Sequence, residues 1–175
     1  KINYTNHIGI LKYYCLREKP WEVSDEKMKI STKGRYGLRV VVDLALYSKS
    51  GYTSSGNIAE RQGISVKYLE QVLNVLKKTG IVKSVKGARG GYMLACDCAT
   101  TTVSDVLRVL EGNLSVVDSS EHENTTEDLM GRFLDKHVWS EIDRVINDTV
   151  DSITIEDLVR EYKRMIESTS LIYHI

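Results

Sequence analysis

The sequence predicts a mainly α-helical protein with one small β-hairpin, and three observations support this prediction. Apolar residues recur at helical spacing in several segments, most clearly at 66–79 and 127–151. Two short β-prone runs, 81–85 and 92–95, flank a basic glycine-rich segment. Basic residues concentrate in the amino half and acidic residues in the carboxyl half, so we expect the two halves to have different roles.

Residues 54–79 have the pattern of two short helices joined by a tight turn. Ser54 is a good N-cap for the first helix, and Gly63 can adopt the left-handed conformation that closes it. Ser65 can cap the second helix. One face of that helix is apolar and comprises Leu69, Val72, Leu73 and Leu76. Its opposite face is polar and comprises Lys67, Gln71, Asn74 and Lys78.

Amide and ammonium groups on one helical face suit the reading of base edges and the holding of phosphates in a major groove. An isolated helix of this kind is more often only a solvated surface helix. The hairpin that follows changes that balance, because its tip at 86–91 combines lysine and arginine with glycines that allow close approach to DNA. Together these elements predict a winged helix-turn-helix domain at 28–95 that binds duplex DNA.

The net charge of the 175-residue chain is zero, but this total hides a division. Residues 28–95 hold twelve lysine and arginine residues against three acidic ones, a net charge of +9. Residues 96–175 hold seven basic and seventeen acidic residues, a net charge of −10. This division is typical of a DNA-binding domain followed by a separate module. No nucleophile–base pair, phosphate loop or metal-ligand cluster has a useful spacing, so we do not predict an enzyme.

The cysteine content and the hydropathy suggest where the protein works. Its three cysteines, Cys15, Cys96 and Cys98, do not form a disulfide-scaffold pattern. No apolar run approaches the roughly 20 residues of a membrane span. With a DNA-binding domain, these features predict a soluble protein of a reducing, cytoplasmic compartment.

Residues 1–27 look unlike the rest of the chain. They contain the only proline, Pro20, and a cluster of tyrosines without a clear period. Met28, which follows them, has the sequence context of a translation start. The codons of 21–23 are compatible with a purine-rich ribosome-binding sequence. We therefore interpret 1–27 as a translated leader or disordered extension, with a genuine amino-terminal helix as the alternative.

A helix at about 33–49, capped by Ser31 or Thr32, is predicted to be buried because both of its faces are apolar. Basic residues near its start oppose the helix dipole and are not there for helix stability: Lys33, Arg35 and Arg39. We interpret these residues, together with Thr32, as DNA contacts. Solvated surface charge is the alternative.

The acidic half is predicted to contain a short helix at 103–111, a flexible connection up to 126 and a longer helix at 127–151. One stripe of the longer helix comprises Leu134, Val138, Trp139, Ile142, Val145, Ile146 and Thr149. A stripe of this length predicts pairing with a second subunit, and packing on its own domain is the alternative. A last helix should run from a capping box at 154–157 to about Glu167, before a tail at 168–175.

Three motifs are similar to those of one family: MKISTKGRYGL at 28–38, YLEQ at 68–71 and GARGGY at 87–92. The family comprises the bacterial winged-helix regulators that include IscR, NsrR and CymR. The resemblance implies dimers on inverted-repeat operators, joined through a long helix. By this resemblance, the operator-reading helix carries Ser65, Lys67, Tyr68, Glu70 and Gln71, and the wing at 86–91 carries Lys86, Arg89 and Gly90. Ser54 is a further predicted DNA contact. Glu70 is expected to accept a hydrogen bond from cytosine or, alternatively, to pair with a nearby lysine.

Several members of this family carry an iron–sulphur cluster on three cysteines, in a segment that corresponds to 112–128 here. This segment has no cysteine, and His122 alone cannot replace three thiolates. We therefore expect no cofactor and no bound metal. Cys96 and Cys98 are expected to be buried or inert thiols, with a redox role as the alternative.

Within this family, the chain is most similar to the CymR group. The similarity rests on the absence of the cluster cysteines and on two motifs, LRVLEG at 107–112 and SITIEDL at 152–158. This resemblance implies a repressor of cysteine and sulphur metabolism genes that acts with cysteine synthase. Because cysteine synthases accept partner carboxyl termini ending in isoleucine, Tyr173, His174 and Ile175 are predicted to form a partner-binding tail. The Ile175 carboxylate and side chain are predicted to enter that enzyme's active site. An ordinary frayed terminus is the alternative.

The sequence thus predicts a dimeric repressor, and two alternatives stay open. The first is a redox- or metal-responsive repressor of another regulon that uses Cys96 and Cys98. The second is a protein-interaction winged helix that inhibits cysteine synthase without binding DNA.

Overall fold

The computed structural model describes residues 30–48, 51–87, 90–116 and 128–172. The extension predicted at 1–27 lies outside these residues. In the part of the chain that is described, no helix is long and apolar enough to cross a membrane.

The first helix, α1 (Thr32–Tyr47), lies at the centre of the fold. Ser31 is its N-cap, because the Ser31 hydroxyl accepts hydrogen bonds from the backbone of Lys33 and Gly34. The predicted burial of both apolar faces is confirmed by Val40, Val41, Leu44 and Ala45. The helix ends two residues before the predicted 49, where the Ser48 hydroxyl and backbone N–H both donate to the Leu44 carbonyl.

The helix-turn-helix predicted from the serine and glycine positions is confirmed as α2 (Ser55–Gln62) and α3 (Val66–Lys78). Ser54 caps α2 and Ser65 caps α3 through their hydroxyl groups. Gly63 ends α2 with φ of 64°, a left-handed conformation that costs glycine little. The apolar face of α3 is fully buried, as predicted, through Leu69, Val72, Leu73 and Leu76.

The hairpin consists of β1 (Val82–Val85) and β2 (Gly91–Leu94), which pair antiparallel. A bridge joins β2 to the residue before the α2 cap: Thr53 and Tyr92 exchange two backbone hydrogen bonds of 2.8 Å. A side chain at Gly91 would place a Cβ 2.4 Å from the Thr53 carbonyl oxygen, so this approach requires glycine. The bridge, which the sequence did not predict, attaches the hairpin to the helix-turn-helix.

Helix α4 (Val103–Glu111) begins at a capping box and packs closely on α1. The Thr102 hydroxyl accepts from the Asp105 backbone, and the Asp105 carboxylate accepts from the Thr102 backbone at 2.8 Å. The two helices meet where α1 has glycine. A Cβ at Gly37 would lie 2.1 Å from a methyl carbon of Leu110.

The longer helix predicted at 127–151 is confirmed as a continuous helical stretch from Leu129 to Asp151, which contains a π-helical turn that the sequence did not predict. It comprises α5 (Leu129–Leu134), a π-helical turn (Asp135–Trp139) and α6 (Ser140–Asp151). In the π turn the Ser140 N–H donates to the Asp135 carbonyl, five residues back. This wider turn rotates the residues before it relative to those after it, so the predicted stripe is not one straight line.

The last helix, α7 (Ile155–Ile172), begins at the predicted capping box of Thr154 and Asp157. Hydrogen bonds from the Thr154 hydroxyl, the Thr154 backbone and Arg160 lower the pKa of the Asp157 carboxyl group. The helix continues past the predicted end at Glu167. Residues 168–172 are therefore helical and not a tail, because nothing in this stretch is a helix breaker.

The hydrophobic core contains residues from both the basic and the acidic halves. Val106 and Leu110 of α4 and Ile155 and Val159 of α7 belong to the same buried cluster as the α1 and α3 residues. Backbone hydrogen bonds of 2.9 Å also join Val103 to Ile153 and Ile155 to Thr101. The change of charge at residue 96 thus does not divide the core.

Gly37→Ala is expected to lower the free energy of unfolding by about 1–3 kcal/mol, because the new methyl group overlaps a buried Leu110. Gly56→Ala is a matched control, since Gly56 is exposed in α2 and its nearest contact is 3.9 Å away. The control is expected to be neutral or to stabilise by up to about 1 kcal/mol. Urea denaturation at one fixed protein concentration measures both, and equal stabilities would contradict the close α1–α4 packing.

Candidate DNA-binding site

The polar face of α3 is exposed, and its side chains have no partner among the residues that the structure describes. Gln71 and the other predicted members, Lys67, Asn74 and Lys78, are all exposed. Within the described ranges, none of these four side chains makes a hydrogen bond or an ion pair. Their amide and ammonium donors are therefore available to an external ligand, as a base-reading face requires.

Tyr68 lies in the first turn of α3, and its side chain contacts α1. Its half-buried ring meets the ring of Tyr36 edge-on, with 5.8 Å between the centroids. The Arg39 guanidinium lies 5.1 Å from the centroid of the Tyr36 ring. The sequence did not predict the contact of Tyr36 with Tyr68, because this contact joins two different helices.

Glu70 of α3 is exposed, and its charge acts on Tyr92 of the hairpin. The described residues include no ion pair to its carboxylate, so the predicted alternative of an intrahelical pair is not found. Burial raises the pKa of the Tyr92 hydroxyl, and the negative charge of Glu70 raises it further. The Glu70 carboxylate is therefore close enough to strand β2 for its charge to affect Tyr92.

The basic residues at the start of α1 differ in their orientation. Thr32 and Arg35 are exposed, and Arg35 donates to the Thr32 hydroxyl at 3.2 Å. The Lys33 ammonium instead donates to the Leu110 carbonyl at 3.0 Å, at the carboxyl end of α4. A cation is favourable at the carboxyl end of a helix, because the helix dipole is negative there. Lys33 therefore contributes to the packing of α1 on α4, which the sequence did not predict.

The tip of the hairpin is tight. The Gly90 N–H donates to the Gly87 carbonyl at 2.9 Å, and a Cβ at Gly90 would lie 2.2 Å from the Val85 carbonyl oxygen. Lys86 is exposed at the base of this turn. Arg89, the predicted cation of the tip, lies outside the described residues.

An ion pair between the buried Asp43 and the partly exposed Arg61 connects α1 with α2, and the sequence did not predict it. Asp43 is 2% exposed and accepts two hydrogen bonds from Arg61, at 2.9 and 2.7 Å, and one from Gln62 at 2.8 Å. The hydrogen bond to Asp43 raises the pKa of the Arg61 guanidinium, and partial burial opposes this effect. The signal was present, because Asp43 is an acidic residue inside an apolar helical pattern.

The helices α5 and α6 expose a wide apolar face. The exposed large apolar side chains on them are Leu129, Met130, Phe133, Leu134, Ile142 and Val145. Val138, Trp139 and Ile146 are half-buried, and Thr149 is exposed. On the other side of α6, Arg144 pairs with Glu141 at 2.5 Å and with Asp148 at 2.7 Å. The helix pair is thus polar on one side and apolar on the other.

The remaining predicted residues are the two cysteines and the carboxyl-terminal tail. Cys96 and Cys98 are half-buried and pack against the hydrophobic core. The predicted partner-binding residues Tyr173, His174 and Ile175 lie outside the described residues.

Comparison with known proteins gives consistent matches. The sequence profile of the Rrf2 family, described as an iron-dependent transcriptional regulator, matches residues 30–161. The HTH-type transcriptional regulator CymR of Bacillus subtilis (strain 168) is 40% identical over 131 residues, which are 75% of this chain and 89% of that protein. These matches are to transcriptional regulators and not to enzymes.

Solved structures agree with the sequence matches. The structure of CymR, the global cysteine regulator of B. subtilis, has a TM-score of 0.64 and 39% identity, covering 76% of this chain and 97% of that chain. The structure of T. potens IscR has a TM-score of 0.61 and 42% identity, covering 77% of this chain and 88% of that chain.

The residues of this chain do not fit an iron–sulphur cluster, although the family profile is described as iron-dependent. Such clusters need thiolates or comparable ligands, and 112–128 contains no cysteine. Among the described residues, no three His, Cys, Asp or Glu side chains converge on one point.

The matched region includes the helix-turn-helix, the hairpin, the helices α4 to α6 and the first part of α7. It covers three quarters of the chain, and the exposed polar face of α3 lies within it. The chain belongs to the Rrf2 family of transcriptional regulators, with a DNA-binding winged helix.

Proposed function

We propose that this protein is a dimeric repressor that binds an inverted-repeat operator of cysteine or sulphur metabolism genes, with cysteine synthase as its sensor partner. The observation that carries the DNA-binding part is the exposed face of α3, whose polar side chains have no partner among the described residues. The net charge of +9 at 28–95 adds a favourable interaction with phosphates.

The proposed docking follows from how α3 is held. Its apolar face is locked into the core, so the polar face presents a rigid row of donors to a major groove. The Thr53–Tyr92 bridge holds the hairpin beside the helix-turn-helix, so that the basic tip can reach the neighbouring backbone. Ser54 and Ser65 lie at helix amino termini, where backbone N–H groups favour phosphates.

The proposed dimer uses the apolar face of α5 and α6. Side chains such as Leu129, 72% exposed, and Met130, 67% exposed, would remain in water in a monomer. A second copy that covers this face would remove them from water at about 25 cal/mol per Å². Two copies would then present two α3 helices to half-sites about one helical turn apart.

The proposed regulon and sensor partner rest on similarity. The B. subtilis relative is named the global cysteine regulator, which supports control of cysteine metabolism here. The similarity to CymR is also the basis for proposing cysteine synthase as the sensor partner, with Tyr173, His174 and Ile175 as the segment that binds it.

Gln71→Ala is expected to relax base preference at one position of each half-site, a loss of about 1–3 kcal/mol of discrimination. Arg89→Ala is the comparison variant, and it should weaken binding to all sequences and reduce the salt dependence. Gel shifts with promoter DNA of sulphur-uptake genes at about 0.15 M salt, and with single base-pair variants, measure both effects. An unaltered site preference of Gln71→Ala would refute its base-reading role, and no binding to any duplex would refute the proposed function.

Val145→Glu is expected to convert the dimer to monomers, because a carboxylate is placed on the apolar face of α6. Ser140→Glu is the matched control, since Ser140 is exposed on the same helix but lies about 140° around the helix axis from Val145. Sedimentation equilibrium gives the oligomeric state of each variant. A dimeric Val145→Glu protein would place the interface elsewhere.

Removal of residues 173–175 is expected to abolish binding to cysteine synthase while operator binding stays the same. The physical reason is the loss of the terminal carboxylate and of the isoleucine side chain that would occupy the enzyme's site. Calorimetric titration with purified cysteine synthase measures the affinity, and gel shifts provide the control. An unchanged enzyme affinity would end this part of the proposal.

A further inference from the structure

A cleft of about 560 Å³ lies between α1, α2 and α7, away from the exposed face of α3. Small-molecule sites typically have volumes of about 300–1,000 Å³, so the cleft has the right size for a small ligand. Its apolar lining comes from two helices and comprises Leu38, Val42, Leu46 and Leu158. These aliphatic side chains form a surface on which a hydrocarbon body can be buried.

Two guanidinium groups line the same cleft and have unused donors. Arg39 uses Nε and Nη2 to bind Gln62, at 3.1 and 2.9 Å. Arg61 uses Nε and Nη2 to bind Asp43. In the described part of the chain, neither Nη1 has a hydrogen-bond acceptor. Because Asp43 neutralises only one of the two guanidinium groups, the cleft keeps a net positive charge.

Tyrosine rings form further walls of the cleft. The Arg61 guanidinium lies 4.5 Å from the centroid of the Tyr47 ring, which fixes its plane. Tyr162 of α7 lines the opposite wall and is 39% exposed. The charged groups are thus held in position before any ligand arrives, which lowers the cost of binding.

We propose that this cleft binds a small amphipathic carboxylic acid. Its carboxylate would accept hydrogen bonds from the Nη1 groups of Arg39 and Arg61, and its apolar body would lie on the aliphatic side chains. Guanidinium groups suit this head group, because their planar donors match a carboxylate. The ligand would contact the first helix of the helix-turn-helix and a helix of the acidic half together. Its use as an effector of DNA binding rests on the proposed function.

The test is a calorimetric titration of the full-length protein with 4-phenylbutyrate and with its neutral counterpart 4-phenylbutan-1-ol. We expect one saturable site per chain, with the acid bound about tenfold more tightly than the alcohol, or about 1.4 kcal/mol. Arg39→Gln is expected to weaken binding of the acid about tenfold while the Arg61–Asp43 pair stays intact. Arg164→Gln is the matched control, because Arg164 is exposed on α7 outside the cleft, and it should bind the acid like the unmodified protein.

Three outcomes would overturn the proposal: equal affinity for acid and alcohol, equal effects of Arg39→Gln and Arg164→Gln, or no saturable binding of the acid below about 10 mM. Thermal unfolding of each variant checks that the fold is retained. Because the titration contains no DNA, failure of the ligand site is distinguishable from failure of operator binding. Gel shifts with and without the acid then measure any coupling between the two sites.

Discussion

Burial of α1 on both faces is the constraint on which the described fold depends. Val40, Val41 and Leu44 are completely buried, and α2, α3, β2, α4 and α7 all contact this helix. Each fully buried aliphatic side chain of this size contributes about 1.5–3 kcal/mol, so no neighbouring helix can leave α1 without a large loss. The orientation of α3 relative to the acidic half is therefore determined through α1.

The same constraint explains how a chain with two oppositely charged halves keeps one core. Hydrophobic burial depends on apolar area, whereas the charged groups stay at the surface. Val106 of α4 and Ile155 of α7 can thus join the cluster that contains Leu69 of α3. Charge segregation along the chain therefore indicates where partners bind, but not where a core ends.

The Asp43–Arg61 pair adds orientation to this apolar packing. Burying a carboxylate is costly, and the two bonds from Arg61 and one from Gln62 offset that cost. Bidentate geometry fixes the direction of approach as well as the distance. The pair thereby orients α2 on α1 and places a charged group beside the cleft that we propose as a carboxylate site.

Much of the fold and of the DNA-binding face was predictable, because the signals are local. Ser54 and Ser65 cap helices within three residues of themselves, and Gly63 ends α2 through its own backbone. The spacing of Leu69 and its neighbours defined the buried face of α3, and hence its polar face. The predicted DNA contacts Lys33 and Arg35 were not distinguishable in the same way, because only the packing of α4 shows that Lys33 has another partner.

By itself, the sequence determined the helix-turn-helix, the hairpin, the caps and the exposed polar face, since these depend on residues a few positions apart. Only the tertiary structure decided which distant groups meet. Arg61 binds Asp43 across 18 residues, Lys33 binds the Leu110 carbonyl across 77, and Thr53 pairs with β2. The π turn at Asp135–Trp139 contains no glycine or proline from which it could have been predicted. Such features arise from packing, in which the partner of each group is selected by the whole fold and not by its neighbours in sequence.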